Sequence, residues 1–129
     1  MKNIRILILE DDLQVLSILL NRLFVLENHQ VDFAVTVFSE YNQVEDYLNL
    51  SQKANFDVIL LDRDCKLGGS FHVLDIGKFD PDKIVSISSV PDYNKQIETK
   101  GVKRTVLKDF NNLDNFADKV IEHIKQRIK

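Results

Sequence analysis

Acidic, hydroxyl and ammonium side chains recur at matching places in this chain, each directly after a segment that reads as a β-strand. Glu10-Asp11-Asp12 follows Ile4 to Leu9, Asp62 follows Val58 to Leu61, Ser88 follows Ile84 to Ile87, and Lys108 follows Val102 to Leu107. Aliphatic runs such as the first two belong to strands covered on both faces, so the polar residues mark strand carboxyl ends. Three or more carboxylates gathered at one edge repel strongly. A hard divalent cation with oxygen ligands relieves that repulsion, and Mg2+, which keeps several waters, is the expected ion. A metal beside an aspartate, a hydroxyl and an ammonium is the equipment of phosphoryl transfer, in which metal and lysine neutralise phosphoryl oxygens while a carboxylate attacks.

The elements that must position these residues follow from hydrophobic spacing. After Asp12, which can cap a first helical turn, Leu16, Leu19, Leu20, Leu23 and Phe24 recur at three- and four-residue intervals and predict an amphipathic helix. Val31, Phe33, Val35 and Val37 alternate with polar or small residues, as in a half-exposed strand near a sheet edge. A helix is expected from Ser39 to Leu50 and a short one at Phe71–Ile76. A polar helix runs from Pro91 to Lys100-Gly101, and a last helix carries Leu113, Phe116, Ala117, Val120, Ile121, Ile124 and Ile128 on one face. Five strands alternating with five helices predict an α/β fold, a doubly wound parallel sheet with helices on both faces, whose ligand site lies outside the strand carboxyl ends.

Bulk properties restrict the function classes. With 129 residues, 44% apolar and 29% charged, the chain is expected to form one domain, 1–129, with a real core. A net charge of −3 gives no broad reason to bind nucleic acid or a lipid surface. One cysteine, no signal segment and no apolar stretch of roughly 18 residues predict a reduced, cytoplasmic protein outside the membrane.

The set ILILEDD (6–12), VILLD (58–62), IVSISS (84–89) and VLKDF (106–110) resembles the receiver domain of two-component response regulators, from the first strand to the last helix. The resemblance implies a flavodoxin-like five-stranded sheet of order 2-1-3-4-5. It implies Glu10 and Asp11 as the metal pair and Asp62 as phosphoacceptor, with Asp62 and the backbone carbonyl of Asp64 also binding Mg2+. Ser88 would bond and report the phosphoryl group, and Lys108 would hold one of its oxygens. Such a receiver is not an enzyme beyond its own phosphorylation and dephosphorylation. It would take its phosphoryl group from a histidine kinase or phosphotransfer protein and act on a downstream protein. With no room for an output domain it would stand alone, or self-associate through the face formed by the fourth helix, fifth strand and fifth helix.

The chain departs from that family at several positions. Receivers commonly carry Met-Pro and Asp-Gly after the acceptor, where this chain has Cys65-Lys66 and Gly69-Ser70. Asp109 replaces the proline that usually follows the lysine in a cis bond, and cis without proline costs about 2.5–4 kcal/mol, so a trans or strained bond is expected. Thr105 stands where the family has its switch aromatic. A degenerate receiver acting as a constitutive interaction module is therefore one alternative. Asp62-Arg63-Asp64 also resembles the nucleophile motif of haloacid dehalogenase-type phosphatases, although their further acidic pair and cap are missing. A Toprim-type site would use Glu10, Asp62 and Asp64, but basic patches are lacking. His29, His72 and His123 have no ligand spacing, Cys65 reads as an inert small hydrophobe, and Gly68-Gly69 as loop flexibility.

Overall fold

The structure, a computed structural model, describes residues 2–50, 55–63 and 78–128. Five parallel strands, β1 (Lys2–Leu9), β2 (Val31–Phe38), β3 (Val58–Asp62), β4 (Ile84–Ser88) and β5 (Arg104–Leu107), form one sheet of order β2-β1-β3-β4-β5. The helices are α1 (Leu13–Leu26), α2 (Tyr41–Gln43, continued as a π-helix over Val44–Asn49), α3 (Pro91–Glu98) and α4 (Leu113–Arg127). The helix expected at Phe71–Ile76 lies outside the described residues, so α3 and α4 are the fourth and fifth helices of the sequence reading. Among the described residues no helix is long and apolar enough to cross a membrane.

Strand periodicity builds two cores from one sheet. Successive side chains point to opposite faces, so Ile4, Ile6 and Ile8 of β1 join Val58 and Leu60 of β3 beneath α1 and α4. Leu7 and Leu9 join Ile59 and Leu61 on the other face, against Val44 and Leu48 of the π-helix and Ile97 of α3. Every residue of β3 and β4 is buried, which explains the unbroken aliphatic runs. The β2 strand stands at the sheet edge, as its alternation predicts. Val31 and Phe33 pack against the first core, while Val35 and Val37 remain over one-third exposed.

Three expected elements differ. Helix α1 buries Val15, Leu19 and Leu23, whereas Leu20 and Phe24 of the predicted apolar face are exposed, Phe24 by 74%. The helix is rotated because β1 and α4 lie on the side of Val15, which extends the Leu19–Leu23 row by one turn. The helix expected from Ser39 to Leu50 begins only at Tyr41 and widens at once into π geometry. The wider turn places Val44 and Leu48 on one side, both fully buried in the second core. Strand β5 starts at Arg104 instead of Val102, because the chain leaves α3 through Gly101, at φ 97°, and Val102 enters the second core before pairing begins.

Candidate functional site

Each strand end delivers one part of the site. Asp12 closes β1 on α1 as its N-cap: the carboxylate accepts the Val15 N–H at 3.0 Å. With Asp12 so occupied, Glu10 and Asp11 are left at the strand end. Glu10 is fully buried, and its Oε2 accepts the backbone N–H groups of Asp11 at 2.9 Å and Asp12 at 3.1 Å. The carboxylate is thereby folded back over the end of β1. Asp62 ends β3 next to it, also fully buried. Carboxylate oxygens of Glu10, Asp11 and Asp62 all lie within 4.8 Å of one another.

Lys108 reaches this cluster from β5. Its backbone N–H donates to the Ser88 carbonyl at 2.7 Å, which extends the β4–β5 ladder by one residue and fixes where the side chain starts. The ammonium donates to Glu10 Oε1 at 2.9 Å and to Asp62 Oδ1 at 2.7 Å, with 2% of the side chain exposed. Burial works to lower the Lys108 pKa, but the charges of Glu10 and Asp62 outweigh it and hold the group above the ordinary lysine range. The residue therefore stays an ammonium at any physiological pH. No cis peptide occurs among the described residues, so the Lys108–Asp109 bond is trans, and the lysine reaches the acids without the usual proline.

At this edge the carboxylates of Glu10, Asp11 and Asp62 lie together with the Lys108 ammonium. The donor set is all oxygen and two of its members are fully buried, which suits a hard divalent cation better than a soft metal. Glu10, Asp11 and Asp62 are the residues that would hold it. Asp64, whose carbonyl the sequence reading adds to the metal shell, lies outside the described residues.

Ser88 is buried at the end of β4, and its hydroxyl is engaged with Val90: it donates to the Val90 carbonyl at 3.2 Å and accepts the Val90 N–H at 2.9 Å. The sequence reading missed a polar group beneath it. Asn94 of α3 is buried, accepts from Ser86 Oγ at 2.9 Å and donates to the Val106 carbonyl at 3.2 Å. An asparagine in a mostly polar helix reads as part of a solvated face. Its four-residue offset from Val90 and one-turn distance from Ile97 were the available signals. Arg63 is likewise buried and extends β3 through its N–H to the Ile87 carbonyl at 3.0 Å.

No protein-family model matches the chain, and no curated protein matches it in sequence. Solved structures do match in fold, and they include several response regulators. The phosphorylated cyanobacterial phytochrome response regulator RcpA superposes with a TM-score of 0.69 at 20% identity, covering 95% of this chain and 94% of that one. The Mn(2+)-bound response regulator Rcp1 gives 0.64 at 18% identity, covering 90% and 88%. The chemotaxis response regulator CheY4 of Vibrio cholerae gives 0.63 at 18% identity, covering 98% and 99%. The shared architecture is the flavodoxin-like sheet of order 2-1-3-4-5.

Proposed function

We propose that this chain is a receiver that accepts a phosphoryl group on Asp62 from a histidine kinase or phosphotransfer protein and changes a protein-binding surface in response. The observation that carries the reading is Lys108 bridging Glu10 and Asp62, with Asp11 beside them, at the strand edge where such folds bind ligands. A carboxylate oxygen of Asp62 attacks phosphorus in line with the phosphohistidine nitrogen, the P–N bond breaks, and an acyl phosphate forms. Lys108 then exchanges part of its contact with Asp62 for a phosphoryl oxygen. Glu10, Asp11 and Asp62, with the Asp64 carbonyl, would hold a Mg2+, which would neutralise those oxygens further. Glu10 orients both the metal edge and Lys108, and Ser88 offers its hydroxyl to the phosphoryl group. The protein acts in the cytoplasm, catalyses nothing beyond its own phosphorylation and dephosphorylation, and passes its signal to a partner protein or a second copy through α3, β5 and α4.

The test is intact mass after incubation with Mg2+ and acetyl phosphate, for the native chain, for Asp62→Asn and for a metal-free control. One phosphoryl group gained by the native chain and by neither control is the expected result. Steady turnover of a phosphate ester without mass gain would replace this reading with a phosphatase. Neither gain nor turnover would leave a constitutive interaction module.

A further inference from the structure

The outer edge of β2 is sealed over its first half and open over its second. Lys2 and Glu10 donate their backbone N–H groups to the carbonyls of Gln30 and Phe38. Even-numbered residues of β2 therefore turn their backbone groups to β1, and odd-numbered ones turn theirs away from the sheet. At Val31 both outward groups are taken by Asn28, whose Oδ1 accepts the N–H at 3.1 Å and whose N–H donates to the carbonyl at 3.2 Å. Glu27 Oε2 accepts the Phe33 N–H at 2.8 Å. Beyond it, the N–H and C=O groups of Val35 and Val37 have no partner among the described residues. All eight residues of β2 pair with β1 without a bulge, and none is Lys, Pro or Gly, the usual protections of an edge strand. Apolar side chains flank the open stretch on both faces of the sheet. Val35 and Val37 are 38% and 37% exposed, and the outer side of α1 adds Leu20 and Phe24. On the other face Phe38 rests against the half-exposed Tyr47.

We infer that this edge is a dimer interface, in which β2 of a second copy pairs antiparallel about a two-fold axis at Thr36 and the two sheets become one. In that register Val35 lies opposite Val37 of the second copy, and each such pair exchanges two N–H···O=C bonds. The open groups thus satisfy one another completely under the symmetry, which is why the occupant is a second copy of this chain. Thr36 meets its own counterpart in the closer, non-hydrogen-bonded position. An axis one residue earlier, at Val35, would set the Val37 carbonyl of the second copy against the Glu27 carboxylate, so the seal at Phe33 selects the register. Asp32 and Glu40 lie outside the paired residues 34–38, which carry no charge. That stretch is about 17 Å long and, with a helix layer on each face of the sheet, about 30 Å deep. The face is about 500 Å2 per copy, the lower limit for a specific interface, so the dimer is reversible, with a dissociation constant about micromolar or weaker.

Sedimentation equilibrium of the chain without phosphodonor, from about 10 to 1,000 µM in about 0.15 M salt, tests this independently of the receiver reading. The native chain is expected to show a reversible monomer–dimer equilibrium. Val35→Lys with Val37→Lys sets like charges face to face and is expected to weaken the dimer by about tenfold or more. Val35→Lys with Val37→Glu sets opposite charges face to face in the Thr36 register and is expected to keep it. Urea midpoints close to the native value show that both are folded. Thr36→Cys in a Cys65→Ser background, which needs neither double variant, is expected to give a disulfide-linked dimer by intact mass on mild oxidation. A native chain that stays monomeric throughout overturns the proposal and leaves the open edge to a strand of another protein. A dimer that survives the two lysines, or that Thr36→Cys fails to link, overturns β2 as its interface. A folded lysine–glutamate variant that is monomeric overturns the register.

Discussion

Lys108 and Asp62, 46 residues apart in sequence, meet through a 2.7 Å contact between Nζ and Oδ1, with almost none of either side chain exposed. A buried pair of this kind adds little net stability over an apolar pair, because both charges lose their water, yet it is costly to break. Its value here is placement, since the ammonium is held within hydrogen-bond reach of both Glu10 and Asp62.

Removing the ammonium is the first consequence to measure. Lys108→Met leaves Glu10 and Asp62 buried against each other and is expected to destabilise the chain by about 3–5 kcal/mol in urea unfolding with a chelator present. Added Mg2+ should restore part of that loss. A cost under about 1 kcal/mol would show that solvent reaches the acids.

Divalent ions should stabilise the native chain. At a free Mg2+ concentration ten times the dissociation constant, the unfolding free energy rises by about 1.4 kcal/mol if the unfolded chain does not bind the ion. Asp11→Asn should abolish the increment at the same concentration. An unchanged increment would remove Asp11 from the site.

The cap on α1 can be separated from the site next to it. Asp12→Ala removes the acceptor for the Val15 N–H and is expected to cost about 1 kcal/mol. It should leave the Mg2+-dependent stabilisation in place. Loss of that increment together with the cap would assign Asp12 to the ion.

His123 of α4 makes stability fall with pH on the acid side. Its pKa lies below the ordinary 6.5 because burial, and then the Arg104 charge, disfavour the imidazolium. The unfolded chain thus binds a proton that the folded chain refuses, so stability present above about pH 6.5 is lost as pH falls toward the lower folded value. Urea midpoints between about pH 7.5 and 5.5 should decline less steeply for His123→Gln than for the native chain. Parallel slopes would exclude the histidine.

Arg22 joins α1 to α4, donating to Asp114 at 2.8 Å and also to Asp118. Both acids are mostly exposed, so Arg22→Ala is expected to cost no more than about 1 kcal/mol, less in high salt. A larger, salt-independent loss would mean that its packing on α1 matters more than its charge.

The sequence by itself determined the strands that are buried on both faces, the residues that end them and the class of sheet. Ile4–Leu9 and Val58–Asp62 could be read locally because an aliphatic run ended by acids has few other uses in a soluble domain. Position at a strand end collected Glu10, Asp11, Asp12, Asp62, Ser88 and Lys108 as candidates, and the resemblance implied the role of each within that set. Tertiary structure decided which face of α1 turns inward, since Leu19 and Leu23 fit two overlapping apolar stripes and only the place of β1 and α4 selects Val15 over Phe24. It decided that the Ser39–Leu50 segment widens into a π-helix to seat Val44 and Leu48. It also decided that Asn94 is buried and that Lys108 bridges two acids, because hydrogen bonds between strands and helices far apart in sequence leave no periodic trace in the chain.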